Sequence, residues 1–81
     1  MAAVPRKARQ PPRHPALKRL GARVREMREA RDLSQEALAD LAQVGRSYMS
    51  GIERGVRNPS ALQMLKLARA LKTTVGDLFE G

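Results

Sequence analysis

Apolar side chains recur every three or four residues along most of the chain, with polar caps and short breaks between the runs. The first run follows Pro15, which suits the first turn of a helix, and predicts a helix from about 15 to 31. A second helix is predicted from the N-cap Ser34 to about residue 42. The apolar positions of these two helices are Leu17, Leu20, Val24, Met27, Leu38, Leu41 and Ala42.

Three shorter helices are predicted after the break "QVG". One runs from about 46 to 53 and is stopped by Gly55, and the two that follow each begin with a capping pattern. The capping residues of those two helices are Ser60, Gln63, Thr74 and Asp77. The apolar positions of all three are Met49, Ile52, Leu62, Leu65, Ala68, Leu71, Val75, Leu78 and Phe79. Because no run alternates as a strand does, the sequence predicts an all-α, compact five-helix domain.

The second and third helices are short and separated by a very tight break, with the small Ala39 where they would approach each other. Two helices that share a core in this way form a helix-turn-helix, in which the first braces the second so that its outer face enters the DNA major groove. The residues that would point outwards from the third helix are Arg46, Ser47, Ser50 and Arg54. All of them can donate hydrogen bonds to bases or phosphates.

Charge supports a polyanionic partner. The chain has 16 Lys and Arg against eight Asp and Glu, for a formal net charge of +8. Residues 1–15 are rich in proline and basic residues and poor in large apolar side chains, so we expect a flexible basic arm there. Residues 16–81 are expected to form the DNA-binding domain. The arm either lies along nucleic acid or is a solvated leader without a role.

The composition argues against several other classes. The chain has no cysteine and one histidine, and its carboxylates are scattered, so we expect no catalytic residues, no metal site and no cofactor. No apolar run is long enough to span a membrane, and no secretory signal follows the N-terminal charges, so a cytoplasmic, nucleoid-associated protein without a membrane partner is expected. The scarcity of aromatic residues disfavours an RNA-binding module that stacks single-stranded bases.

Three segments together resemble the phage-repressor-like helix-turn-helix family of the Cro and XRE type: "LSQEALADLA", "RSYMSGIERGVRNPS" and "LQMLKLARALKTTVGDLF". The likeness covers about residues 17–80. It implies a domain that binds double-stranded DNA operators as a homodimer and regulates transcription. The chain also resembles the controller proteins of restriction-modification systems and small phage or plasmid repressors.

The resemblance also assigns roles by position. Arg46 and Ser47 match the main base-reading positions, with Ser50 one turn later. Arg28 and Glu53 match a partly buried ion pair, which would tie the first helix to the third. At the DNA backbone the resemblance implies Gln35, which would also support the third helix, and Arg57 and Asn58 in the loop after it. Two further backbone candidates come from the residues themselves: Arg54, at the outer end of the third helix, and Tyr48, which could equally be partly core.

Three positions depart from the family pattern. Gln43 stands where the turn usually has a glycine. Gly45 stands where a Ser or Thr usually caps the third helix, which is the recognition helix of the family. A shifted turn, with Gly45 in the left-handed conformation, would reconcile the two. Gly51 removes a side chain from a frequent base-reading position, so direct readout is expected to rest mainly on Arg46.

A dimer is expected because a domain this small buries little core by itself. The residues assigned to the dimer interface are Leu62, Leu67, Val75, Leu78 and Phe79, although all five could instead close the monomer core. The main alternative function is an antitoxin that binds a partner toxin and autoregulates its own promoter. RNA polymerase is a further candidate partner of a regulator.

Overall fold

The computed structural model describes residues 14–80, so most of the predicted basic arm lies outside the described residues. The helices are α1 Pro15–Ala30, α2 Gln35–Ala42, α3 Arg46–Arg54, α4 Ala61–Ala70 and α5 Val75–Glu80. No strand occurs between residues 14 and 80. The predicted all-α, five-helix architecture is therefore confirmed.

Side-chain caps set the starts of most helices. Ser34 Oγ accepts the Ala37 backbone N–H at 3.0 Å, and Ser60 and Gln63 form the complete capping box. The first helix begins at Pro15, as predicted, and its cap is His14, an exposed residue within the predicted arm, which accepts the Ala16 N–H on its Nδ1 at 3.0 Å. The predicted domain boundary after residue 15 therefore lies inside this element, since His14 caps α1 and Pro15 is its first residue.

One apolar core holds the helices together. Its buried members are Leu20, Val24, Leu38, Ala39, Ala42, Met49, Ile52, Met64, Leu67, Ala68, Leu71 and Leu78. Around it α1 packs against α3 and α5, and α2 packs against α3 and α4. The helix α3 is thus held from two sides, which leaves its remaining side free.

The core side of two helices differs from the prediction. In α2 the buried residues are Leu38, Ala39 and Ala42, and Leu41 is exposed, because the small Ala39 turns inwards. In α4 the core takes the stripe that contains Met64 and Leu67, and both Leu62 and Leu65 are exposed. Apolar residues cover more than half of the circumference of α4, so periodicity alone could not select the buried stripe.

The turn between α2 and α3 is not shifted as expected. Gln43 itself takes the left-handed conformation, with φ 60° and ψ 42°, whereas Gly45 has an ordinary φ of −68°. Gln43 N–H donates to the Asp40 carbonyl at 3.1 Å and Val44 N–H to the Ala39 carbonyl at 3.0 Å. This is the Schellman pattern, which requires its left-handed residue directly after the helix. The turn therefore keeps the usual register despite lacking the usual glycine.

Replacing Gln43 with glycine is expected to raise the free energy of unfolding by about 1 kcal/mol, because a residue with a Cβ pays that much in the left-handed region. Urea denaturation measures the change. Gly45→Ala is the control at a position whose φ is ordinary and where a Cβ meets nothing within 4 Å; it should not raise stability, because alanine is a poorer N-cap than glycine. A loss of stability in Gln43→Gly would contradict the left-handed turn.

Candidate nucleic-acid interface

The free side of α3 carries polar donors and no acidic residue. Arg46, Ser47 and Arg54 are exposed and Ser50 is half-buried, so the four residues predicted to point outwards all reach the surface. Arg54 Nε donates to Ser50 Oγ at 3.4 Å. Arg46 is only loosely paired, since its Nη1 lies 4.0 Å from Glu36 Oε1 and both side chains are about two-thirds exposed or more. These groups remain free to bind an external acceptor.

A bidentate ion pair near the end of α3 fixes this helix to α1. Arg28 Nε and Nη2 donate to the two carboxylate oxygens of Glu53 at 2.6 and 3.1 Å, with side chains 11% and 3% exposed. Arg28 Nη1 also donates to the Leu33 carbonyl at 2.8 Å. Gln35 Nε2 donates to Glu53 Oε1 at 3.0 Å, so the start of α2 is tied to the same carboxylate. One buried carboxylate thus joins α1, α2 and α3.

The hydrogen bond to Glu53 raises the pKa of Arg28 above its ordinary value, and this effect outweighs the opposing effect of burial. A cation whose pKa is raised on folding stabilises the fold below its unfolded-state pKa and loses that contribution only above its folded-state pKa. The contribution of Arg28 is therefore constant through neutral pH and is lost only in strongly alkaline solution.

Close backbone packing, which was not among the features predicted from the sequence, also positions α3. A Cβ added to Gly21 of α1 would collide with the carbonyl oxygens of Ile52 and Glu53. Gly55, which ends α3 with φ 79°, lies against the backbone of Lys18. The two glycines let α1 and the end of α3 touch without intervening side chains. A glycine inside an otherwise regular helix was the available signal.

The residues predicted at the DNA backbone fall into two groups. Arg54, Arg57 and Asn58 are exposed. Tyr48 is half-buried and donates its hydroxyl to Gln63 Oε1 at 2.6 Å, which connects α3 to the start of α4. Gln35 is likewise occupied by Glu53. Tyr48 and Gln35 therefore help to hold α3 in place through these hydrogen bonds. Contact of any of the five residues with phosphate stays a prediction.

The predicted dimer residues do not form one surface. Leu67 and Leu78 are buried in the monomer core, and Val75 is half-buried and packs against it, so Leu67 and Leu78 cannot meet a second chain without unfolding. Leu62 and Phe79 are 60% and 53% exposed. They remain the available members of the predicted interface.

No helix among the described residues is long and apolar enough to cross a membrane. Within the same residues no group of three or more His, Cys, Asp or Glu side chains comes together as a metal site would require.

Comparison with known proteins places this arrangement among DNA-binding regulators. A family model described as helix-turn-helix matches residues 24–78. The chain is 42% identical over 59 residues to the HTH-type transcriptional regulator DdrOP3 of Deinococcus deserti. The aligned region covers 73% of this chain but only 46% of that protein. The chain therefore spans about half the length of that relative.

Two solved structures are similar as well. The restriction-modification controller protein C.AhdI from Aeromonas hydrophila is 48% identical, with a TM-score of 0.79 over 82% of this chain and 100% of that one. SinR, a master regulator for biofilm formation solved in complex with DNA, is 34% identical, with a TM-score of 0.72 over 75% of this chain and 98% of that one. Both similarities extend through the helix-turn-helix.

Proposed function

Because the chain belongs to the helix-turn-helix family of the Cro and XRE type, we propose that it is a sequence-specific, double-stranded DNA-binding transcriptional regulator that acts as a homodimer. The observation that carries the proposal is the free side of α3, where Arg46, Ser47 and Arg54 are exposed while the rest of the helix is fixed by the core and by the buried pair of Glu53 with Arg28. A rigid helix with a polar outer face is what major-groove recognition requires.

The relatives support the same function. SinR was solved with DNA bound, and DdrOP3 is named as a transcriptional regulator. The similarity to C.AhdI covers the whole of that solved chain at 48% identity, which favours a restriction-modification controller over the small phage or plasmid repressor also considered. These relatives give no support to the antitoxin alternative. Genes for a nuclease and a methyltransferase beside the gene of this protein would support the controller role.

Selection of bound duplexes from a random pool tests the proposal. The expected product is a near-palindromic motif whose half-sites place two recognition helices about 34 Å apart on one face of the DNA. Affinity for it should fall steeply with salt, because several phosphates are contacted by each protomer. If no motif is enriched, the protein is not a sequence-specific regulator.

The homodimer has its own prediction. Replacing Leu62 and Phe79 together with serine is expected to raise the dissociation constant of the dimer by at least about 100-fold, because each apolar side chain is lost twice in a symmetric interface. Sedimentation equilibrium measures the change, and circular dichroism checks that the monomer stays folded. Leu41→Ser, at an exposed leucine of α2, is the control and should leave the dimer intact. A double variant that dimerises as well as the wild type would place the interface elsewhere.

A further inference from the structure

Gly51 is buried although it lies on the outer side of α3. It follows Ser47 by four residues, so the two share one face of the helix, and Ser47 is exposed. The atoms nearest to a Cβ built on Gly51 all belong to Arg57: the Cβ would collide with Cγ and would lie 3.3 Å from Nε and 3.4 Å from Cδ. The side chain of Arg57 therefore lies across Gly51 and occupies the place where a residue of α3 would project.

A second support holds Arg57 in this place. Its Cζ lies 5.7 Å from the centroid of the Tyr48 ring, within the range of a cation–π contact. The ring is itself fixed, because the Tyr48 hydroxyl donates to Gln63 Oε1 at 2.6 Å and that oxygen also accepts the Ser60 N–H at 3.1 Å. The guanidinium thus rests on a ring that is anchored to the capping box of α4.

The guanidinium is also available for an external partner. The ion pairs found among the described residues engage Arg23, Arg25, Arg28 and Arg46, and Arg57 takes part in none of them. Arg57 itself is exposed. The guanidinium of Arg57 is therefore an oriented, unpaired cation on the outer side of α3, although the backbone of Arg57 lies in the loop after that helix.

We propose that Arg57 is a specificity-determining residue, which reads a base edge from the position that Gly51 leaves empty on α3. The inference rests on the proposed DNA-binding function and goes beyond the phosphate contact predicted from the sequence. A phosphate contact requires only charge, whereas a bidentate contact to guanine O6 and N7 requires the planar fork of an arginine in a fixed orientation. Gly51 and Tyr48 supply that orientation.

Two variants test the proposal on the motif selected with the wild-type protein. Arg57→Lys keeps the charge but removes the fork, and Gly51→Ala keeps Arg57 but displaces it from its place. Each is expected to reduce preference by ~5- to 150-fold at the same symmetric position of the half-site, a position distinct from the one lost in Arg46→Ala. The dependence of affinity on salt should stay unchanged in both. Arg69→Lys, at an exposed arginine in the last turn of α4, is the matched control and should keep every preference.

The outcomes separate the two proposals. A wild-type motif that Arg57→Lys retains in full would overturn the role of Arg57 and leave the regulator intact, because a phosphate contact survives this change. Absence of any wild-type motif would overturn both. Circular dichroism checks whether Gly51→Ala folds. If Gly51→Ala proves unstable, Arg57→Lys decides the question by itself, because it leaves Gly51 in place.

Discussion

Replacing Glu53 with alanine is expected to lower the free energy of unfolding by about 3 to 5 kcal/mol, because it leaves the guanidinium of Arg28 buried without its counter-ion. Arg28 is 11% exposed, and Gln35 loses its acceptor in the same step. Small domains are stable by roughly 0.05 to 0.15 kcal/mol per residue, so a loss of this size removes a large part of the total. Urea denaturation followed by circular dichroism measures it.

The matched control is Glu29→Ala, which breaks the pair between Arg25 and Glu29. Those side chains are 65% and 56% exposed, and the expected loss is at most about 0.5 kcal/mol. Equal small losses in the two variants would show that Glu53 does not hold α1, α2 and α3 together. Because the carboxylate of Glu53 is buried against Arg28 and does not reach the surface, any loss of DNA binding in its variant should follow the loss of folded protein.

Replacing Arg46 with alanine is expected to remove base preference at one symmetric position of the operator. A good bidentate contact is worth about 1 to 3 kcal/mol of discrimination, and a homodimer makes it in two half-sites, so the selected duplex should lose about 2 to 6 kcal/mol relative to a random duplex. Arg46 is suited to this contact because it is exposed at the first turn of α3 and only loosely paired with Glu36.

Titration of the selected and random duplexes against the wild type and Arg46→Ala measures the difference. Binding to random DNA should persist and keep its dependence on salt, since most phosphate contacts remain. Arg69→Ala is the control, at an exposed arginine on α4. If Arg46→Ala weakens both duplexes equally, Arg46 contacts phosphate only.

The helices were predictable because local chemistry marks their ends. Ser34 and Ser60 cap α2 and α4 through their own hydroxyls, and Gly55 ends α3 in a left-handed conformation that glycine adopts freely. The tight spacing of α2 and α3 is likewise a local feature, so the helix-turn-helix could be recognised before any packing was known. The pair of Arg28 and Glu53 followed from the family pattern and not from spacing, since 25 residues separate them.

The features that the sequence did not reveal depend on contacts between helices. Leu41 and Leu62 satisfy the apolar period of their helices as well as the buried residues do, and only packing decides which side faces inwards. Gly21 interrupts an otherwise regular helical pattern, but nothing within α1 indicates that the end of α3 is the element that approaches it. The position of Arg57 over Gly51 depends on how the loop after α3 folds back. A glycine in the sequence does not indicate which residue will cover it.

The most direct test of the central claim, that the outer side of α3 enters the DNA groove, is site-specific photo-crosslinking to the selected duplex. A photoreactive residue is placed at Ser47, exposed on α3, or at Ala30, exposed at the end of α1. Ser47 should crosslink to bases within each half-site and Ala30 should not crosslink to DNA. Crosslinking from Ala30 but not from Ser47, with both proteins folded and bound, would contradict the account.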